Sequence, residues 1–317
     1  MDITALTSKK SLVPGLIAVI LVILLATSPL YVPAYWVIRL TAILMYIIIT
    51  VSWVIFSGPT GYMSLASAAF FGIGVYTSAV LGEALPLPVV IGIGGLICFC
   101  LALLVGAATL RLRGIYFAIF TFGLAELIKH VLLWWEIHVT GTRGRFVITV
   151  DNTTVFYVIL LIFVVALLTA YFIRHSKYGA ALRSIGENEE AAAHAGINVT
   201  MVKVITFAIS AVFIGAAGAI MATRWTYVEP YYAFNPLYSF MPVLMAIFGG
   251  MGQLYGPILG ATVFTYLEEE LITRIPELYM IIFGIILIVA ILYLPNGLVG
   301  LIQKWRKGGS VEQNADT

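Results

Sequence analysis

WVIRLTAILMYIIITVSWVIF (36–56) is a run of 21 residues with a single charged side chain, Arg39. A helix of roughly 20 apolar residues is long enough to span the hydrocarbon core of a bilayer. Similar runs occupy 12–28, 61–82, 87–110, 114–135, 155–173, 202–222 and 278–299. The stretch 239–267 is apolar too, but FGGMGQLYGP (248–257) interrupts it with four glycines and a proline. It splits into two short elements, 239–250 and 255–267. The fold expected is all-α, a polytopic membrane protein of about ten transmembrane or re-entrant helices.

Composition agrees. The 317 residues are 62% hydrophobic and 10% charged, with a mean hydropathy of +1.05. A soluble domain is about a quarter charged, so this chain has too few charges to cover its surface with water-facing groups. Its net charge of +2 points to no nucleic-acid partner. The run 12–28 follows Lys9 and Lys10 as a signal peptide would, but it is long for one and lacks a clear small-residue cleavage site at Ser28-Pro29-Leu30. It is expected to stay as a helix. Residues 1–307 then form one membrane domain, and the polar GGSVEQNADT (308–317) a disordered cytoplasmic tail. Cys98 and Cys100 face different directions on a helix, so no disulfide is expected between them.

The 17 Lys and Arg residues set the orientation. With an inside N-terminus, 11 fall inside: Lys9, Lys10, Arg111, Arg113, Arg174, Lys177, Arg183, Lys203, Lys304, Arg306 and Lys307. Six fall outside: Arg39, Lys129, Arg143, Arg145, Arg224 and Arg274. The bias holds only if 239–267 crosses an even number of times or re-enters as a hairpin. Both termini and the stretch 174–200 are therefore expected inside, and 136–154 outside.

Two segments depart from plain lipid-facing helices. GPTGYMSLASAAFFGIG (58–74) carries Gly58, Gly61, Ser64 and Gly72. The other, 248–260, carries Gly249, Gly250 and Gly252. Small residues let helices approach closely, which is the structural reading. Interrupted hydrophobic segments in both halves of a transporter also mark its translocation site, which is the functional one. Glu126 lies deep in the run 114–135, about 20 Å along a helix from Arg113. An intramembrane acid is a functional candidate, but Lys129, three residues on, is placed to pair with it. Arg39 is expected to snorkel at an outer membrane end. Glu268, Glu269 and Glu270 are expected at a solvated outer helix end, and the aromatic YVEPYYAFNP (227–236) over an outer vestibule.

RHSKYGAALRSIGENEEAAAHAGINVT (174–200) is the longest polar stretch between helices on the inside. Purely connecting loops are shorter. Glu187 to Ala195 is a strong helix former, Asn188 is a plausible cap, and Gly196 a plausible stop. A short amphiphilic helix on the cytoplasmic face asks for a partner.

Glu190-Ala191-Ala192, followed after three residues by Gly196, resembles the EAA-xxx-G signature of ABC importer permeases. The flanking block 176–220 is similar to that of LivM-like branched-chain amino acid permeases. So are LRLRGIYFAIFTFGLAELI (110–128), GYMSLASAAFFGIGVYTSAVL (61–81), FGGMGQLYGPILGA (248–261) and LPNGLVGL (294–301). The matches run in order over about residues 58 to 301. The resemblance implies a passive subunit, not an enzyme, whose coupling helix docks on a cytoplasmic ATPase. Arg183, Glu187, Glu190, Ala191, Ala192 and Gly196 would make that contact. It implies a second homologous permease, two ATPase subunits and an extracytoplasmic substrate-binding protein as partners. The implied cargo is a branched-chain amino acid, although related permeases carry urea or amides. In the outer loop the family has a glycine-rich stretch, where this chain has Thr140-Gly141-Thr142-Arg143-Gly144-Arg145.

No G-x-x-x-x-G-K-[ST] is present, so no P-loop binds ATP here. HExxH, GxSxG and paired His/Cys ligands are also missing, and no metal or other cofactor is expected. A stand-alone secondary transporter or channel would want coupling acids at the bilayer centre, where Glu126 is the only one deep in a run. An intramembrane enzyme would need a nucleophile or metal set.

Overall fold

The computed structural model describes residues 19–110, 112, 114–278, 281–286, 288 and 297–300. Half of the expected helix 278–299, the charges at Arg111, Arg113, Lys304, Arg306 and Lys307, and the 308–317 tail lie outside the described residues. So does the start of the 12–28 run.

Helix α1 (Val19–Leu30) precedes α2 (Ala34–Thr60), α3 (Ser67–Leu81), α4 (Leu87–Thr109), α5 (Ile115–Trp135) and α6 (Asn152–His175). Two short helices follow, α7 (Lys177–Glu187) and α8 (Glu189–His194), and then α9 (Val199–Ala222), α10 (Pro230–Ala233), α11 (Leu237–Gly249) and α12 (Tyr255–Arg274). The only strands among the described residues are β1 (Arg145–Phe146) and β2 (Tyr227–Val228), paired antiparallel. The protein is an all-α, multi-pass membrane protein. Among the described residues 6 helical segments are long and apolar enough to cross a bilayer, with Pro230–Gly249 counted as one.

Helix α9 is the hub. It packs on α4, α3 and α2, and α2 in turn on α6 and α12. Small residues make the hub possible. A Cβ at Gly74 of α3 would run into the Gly215 carbonyl of α9, and one at Gly218 into the Phe71 carbonyl. Backbones this close exchange dispersion contacts that a lipid tail cannot supply. Helix α5 lies at the edge, with Ile115 75% and Tyr116 74% exposed.

The bundle has two ends. One carries α7 and α8 against the close of α2, and is called the linker end here. The other carries the β1–β2 ribbon and the starts of α2 and α6, and is the ribbon end. Cys98 is buried and Cys100 exposed, both as free thiols.

Several expectations are corrected. The element expected at 61–82 begins as a helix only at Ser67; Gly61 to Ala66 are non-helical. The run expected to end at 56 continues through Gly58 and Pro59 to Thr60, where Gly61 closes it with φ 72°. That left-handed conformation suits glycine alone at little cost. Helix α5 is prolonged by a π-helical turn, Glu136–Thr140, into the region expected to be loop. The short helix expected within Glu187–Ala195 is present as Glu189–His194, capped by Asn188, whose Oδ1 accepts from the Glu190 and Ala191 amides at 3.0 Å each, but a second, unexpected helix, Lys177–Glu187, precedes it. The split of 239–267 holds, and α12 runs on to Arg274.

Arg39 does not snorkel. It is 5% exposed, with Nε 2.7 Å from Glu269 Oε2 and a guanidinium nitrogen 3.1 Å from Glu270 Oε2. The Nε contact is a close ion pair. The guanidinium also lies 4.3 Å from the Tyr266 ring centroid. The acidic run is thus not a free solvated end: Glu269 and Glu270 fasten α12 to α2 at the ribbon end.

Candidate functional site

Two helical runs are interrupted, at Gly61–Ala66 and at Phe234–Pro236, and the helix after the second packs on the first. The first break is the extended stretch from Gly61 to Ala66. Buried chain that is neither helix nor sheet must find partners for its backbone groups, and Tyr62, Ser64 and Ala66 are buried. It finds them in side chains from three helices. Trp53 Nε1 of α2 donates to the Ser64 carbonyl at 2.7 Å. The Leu65 amide donates to Thr121 Oγ1 of α5 at 3.0 Å. Ser239 Oγ of α11 donates to the Leu65 carbonyl at 2.6 Å and accepts from the Ala68 amide at 3.0 Å. Ser64 Oγ caps the turn by accepting from the Ala66 amide at 3.3 Å.

The second break, Phe234 to Pro236, separates α10 from α11. Phe234 is 1% exposed and fills the space that a side chain at Gly72 would need. Tyr238 packs on Phe71 with centroids 4.2 Å apart. Thus Ser64 and Gly72 lie where the two interrupted helices touch.

At the linker end, α7 lies on the end of α2. Leu182 and Ile185 are buried, and a Cβ at Gly186 would strike the Pro59 carbonyl. The Tyr178 hydroxyl donates to the Val202 carbonyl at 2.8 Å and accepts from Thr206 Oγ1 at 3.0 Å. Burial pushes this phenol above its ordinary pKa, which keeps the donor proton in place. Arg183 donates to the Arg174 carbonyl at 3.2 Å, and Arg174 donates to the Gly252 carbonyl at 2.5 Å.

A cleft of about 320 Å³ opens between these parts, lined by Gly58, Arg183, Glu187, Gly252 and apolar neighbours. A second, of about 440 Å³, is lined by Gly61, Tyr62, Gly114, Glu187, Glu189 and Glu190. The linker candidates Arg183, Glu187 and Glu190 therefore share clefts with Gly58, Gly61 and Gly252. Ala192 is buried, while Ala191 and Gly196 are exposed. Gly196 has φ +86° and nothing within 4 Å of a built Cβ. Gly249 is enclosed where α11 crosses α12, and Gly250 turns the chain there with φ 96°.

Glu126 stands apart from both. It pairs with Lys129 at 2.5 Å as the spacing predicts. Lys129 reaches the Tyr231 ring at 5.5 Å, which places this pair beside the 227–236 segment.

Three groups were not legible as site residues. Glu136 is fully buried, accepting from the Tyr76 hydroxyl at 3.1 Å and the Gly144 amide at 2.9 Å. Ser239 and Thr121 look like ordinary small residues in apolar runs. Lys203 enters the charge count only as an inside cation, yet it is 3% exposed and bonded to Glu189 at 2.8 Å. The one signal for it was a lysine just inside an apolar run, after a loop rich in glutamate.

A helical membrane bundle with interrupted helices in contact and a folded linker seated at one end is an arrangement that suits a permease. Residues 36–291 match the model of the family described as branched-chain amino acid transport system, permease component. The chain belongs to that family. It is 28% identical over 294 residues to the high-affinity branched-chain amino acid transport permease LivM of Salmonella typhimurium, covering 82% of this chain and 68% of the relative. The branched-chain permease LivH of Escherichia coli is 27% identical over 139 residues, 44% of each chain. The ribose import permease RbsC of Haemophilus influenzae is 28% identical over 128 residues, 38% of this chain and 40% of the relative. No solved structure matches the chain at a significant level.

Proposed function

We infer that the chain is the permease subunit of an ABC importer for branched-chain amino acids. The observation that carries this reading is the placement of the linker helices against the glycine-rich segments 58–74 and 248–260: α7 shares a cleft with Gly58 and Gly252 through Arg183 and Glu187, and α8 shares one with Gly61 through Glu189 and Glu190. A permease with no nucleotide site must receive work by contact, and an element touching both partner and pathway can deliver it. The cargo is supported by the LivM likeness over most of the chain; the ribose permease likeness covers less than half of it.

In this reading the linker end faces the cytoplasm, with two ATPase subunits below it. A second homologous permease lies alongside, and an extracytoplasmic binding protein docks at the ribbon end. Glu190, Ala191, Ala192 and Gly196 form the docking face. Gly58, Gly61, Ser64, Gly252 and the Glu126–Lys129 pair belong to the pathway and its outer vestibule, while Gly72, Gly249 and Gly250 shape the close helix contacts that frame it. Residues 1–307 act as one membrane domain.

The test is uptake of labelled L-leucine by proteoliposomes holding this permease with those partners. Uptake is expected to need ATP in the lumen that corresponds to the cytoplasm, and to persist when ionophores collapse the ion gradients. Uptake that stops with the gradients and ignores ATP would replace this reading with a secondary transporter.

A further inference from the structure

The ammonium of Lys203 lies beneath the surface at the start of α9, 3% exposed. An ammonium has three donors, and here each goes to a different element. One reaches Glu189 Oε1 at 2.8 Å, in the first turn of α8. One reaches the Tyr62 hydroxyl at 3.0 Å, in the extended stretch after Gly61. One reaches the Leu110 carbonyl at 3.0 Å, at the close of α4. The triangle closes itself, because the Tyr62 hydroxyl donates to Glu189 Oε1 at 2.6 Å. The charge also lies 4.5 Å from the Tyr62 ring centroid. That ring is held among aromatics, 5.5 Å from Phe117 and 6.3 Å from Phe56.

We propose that Lys203 is the positioning residue that transmits movement of α8 to the broken-helix centre, by holding Glu189 and Tyr62 as one unit. The inference rests on the reading of α7–α8 as the coupling element and adds the link by which its motion travels. Breaking a buried ion pair leaves an uncompensated charge, so Glu189 cannot move away without drawing the ammonium and the Tyr62 hydroxyl along. Tyr62 leads directly into Ser64 and Leu65, whose backbone is held by Trp53, Thr121 and Ser239. A displacement of α8 therefore arrives where the interrupted helices touch.

The test measures ATP hydrolysed per L-leucine imported by the reconstituted complex. Lys203→Met keeps most of the side-chain length and removes the charge. It is expected to raise that ratio about tenfold while leucine-dependent hydrolysis continues, the signature of a lost coupling energy. Tyr62→Phe keeps the ring among its aromatic neighbours and removes only the hydroxyl; the ratio should rise, by less. A purely structural role would lower hydrolysis and uptake together, leaving the ratio unchanged, and that outcome overturns the proposal. If the Lys203→Met complex is not recovered, an unchanged ratio in Tyr62→Phe overturns it. Gly196→Asp serves as the control for the underlying reading. An unchanged ratio in the Lys203 and Tyr62 variants alongside a dead Gly196→Asp removes the relay and leaves the coupling helix standing. Normal transport by Gly196→Asp removes the coupling helix itself.

Discussion

Gly196→Asp is expected to leave the permease folded and assembled, and to cut leucine uptake and binding-protein-stimulated ATP hydrolysis to background. Gly196 closes α8: its amide donates to the Ala193 carbonyl at 3.0 Å and the Ile197 amide to the Ala192 carbonyl at 3.1 Å. At φ +86° any L-residue is strained, by about 1 kcal/mol or more. Bulk is not the cause within this chain, because nothing lies within 4 Å of the built Cβ. The damage comes from two other sources. A shifted backbone re-aims the return into α9 at Asn198, which caps that helix by accepting from the Met201 amide at 3.1 Å. An added carboxylate beside the last turn of α8 opposes the helix dipole and alters the exposed face offered to a partner. The check is ATPase activity stimulated by leucine-loaded binding protein, with the amount of recovered complex as the reference. Full stimulation and full uptake would remove this loop from the coupling role.

Gly249→Val and Gly252→Val should separate a packing glycine from a pathway glycine. Their sequence contexts are alike, three residues apart in one interrupted segment. A side chain at Gly249 would occupy the place of the Gly256 carbonyl, and one at Gly256 the place of the Gly250 carbonyl. Helices α11 and α12 would have to part, at about 3 kcal/mol or more. Gly249→Val is therefore expected to lose the purified complex altogether. Gly252 has open space at its Cβ and lines the cleft beside Arg183. Gly252→Val is expected to purify normally and to lose most uptake, by filling the cleft and obstructing its movement. Gel-filtration yield and leucine uptake, measured on the same preparations, check both. Equal yields for the two variants would contradict the packing distinction. At Gly61 and Gly250 a third situation holds, since the backbone at φ 72° and 96° is itself what a side chain cannot adopt.

The helices α4, α5, α6 and α9 were legible because each is a long apolar run bounded by charge, turn residues or proline, and length alone identifies a span. The breaks were only half legible. Glycine and proline mark where a helix stops, but the extended stretch from Gly61 to Ala66 reads as one more apolar turn. It is kept open by Trp53, Thr121 and Ser239, three residues of ordinary type that reach it from other helices. Arg39 and Lys203 failed for a related reason. A lone cation near a helix end suggests snorkelling or orientation when its acid is out of sight. Glu269 lies near the other end of the chain, and Glu189 across the Gly196 turn, whose path only the folded linker defines. Helix α7 was missed because its apolar stripe, Leu182 and Ile185, is thin and set among glycines and charges; it becomes a helix by resting on α2. The Glu126–Lys129 pair was legible because both residues sit on one helix face, where spacing is enough.

The measurement that bears most directly on the account is the sidedness of the linker, since ATPases can drive this permease only if 176–198 faces them. In a Cys100→Ser background with Cys98 buried, Arg143→Cys and Arg183→Cys variants are exposed in intact cells to a thiol reagent that does not cross the membrane. Labelling is expected at position 143, beside the ribbon, and none at 183 until the cells are opened. Labelling at 183 and protection at 143 would contradict it, placing α7 and α8 outside and ending their role as the coupling element.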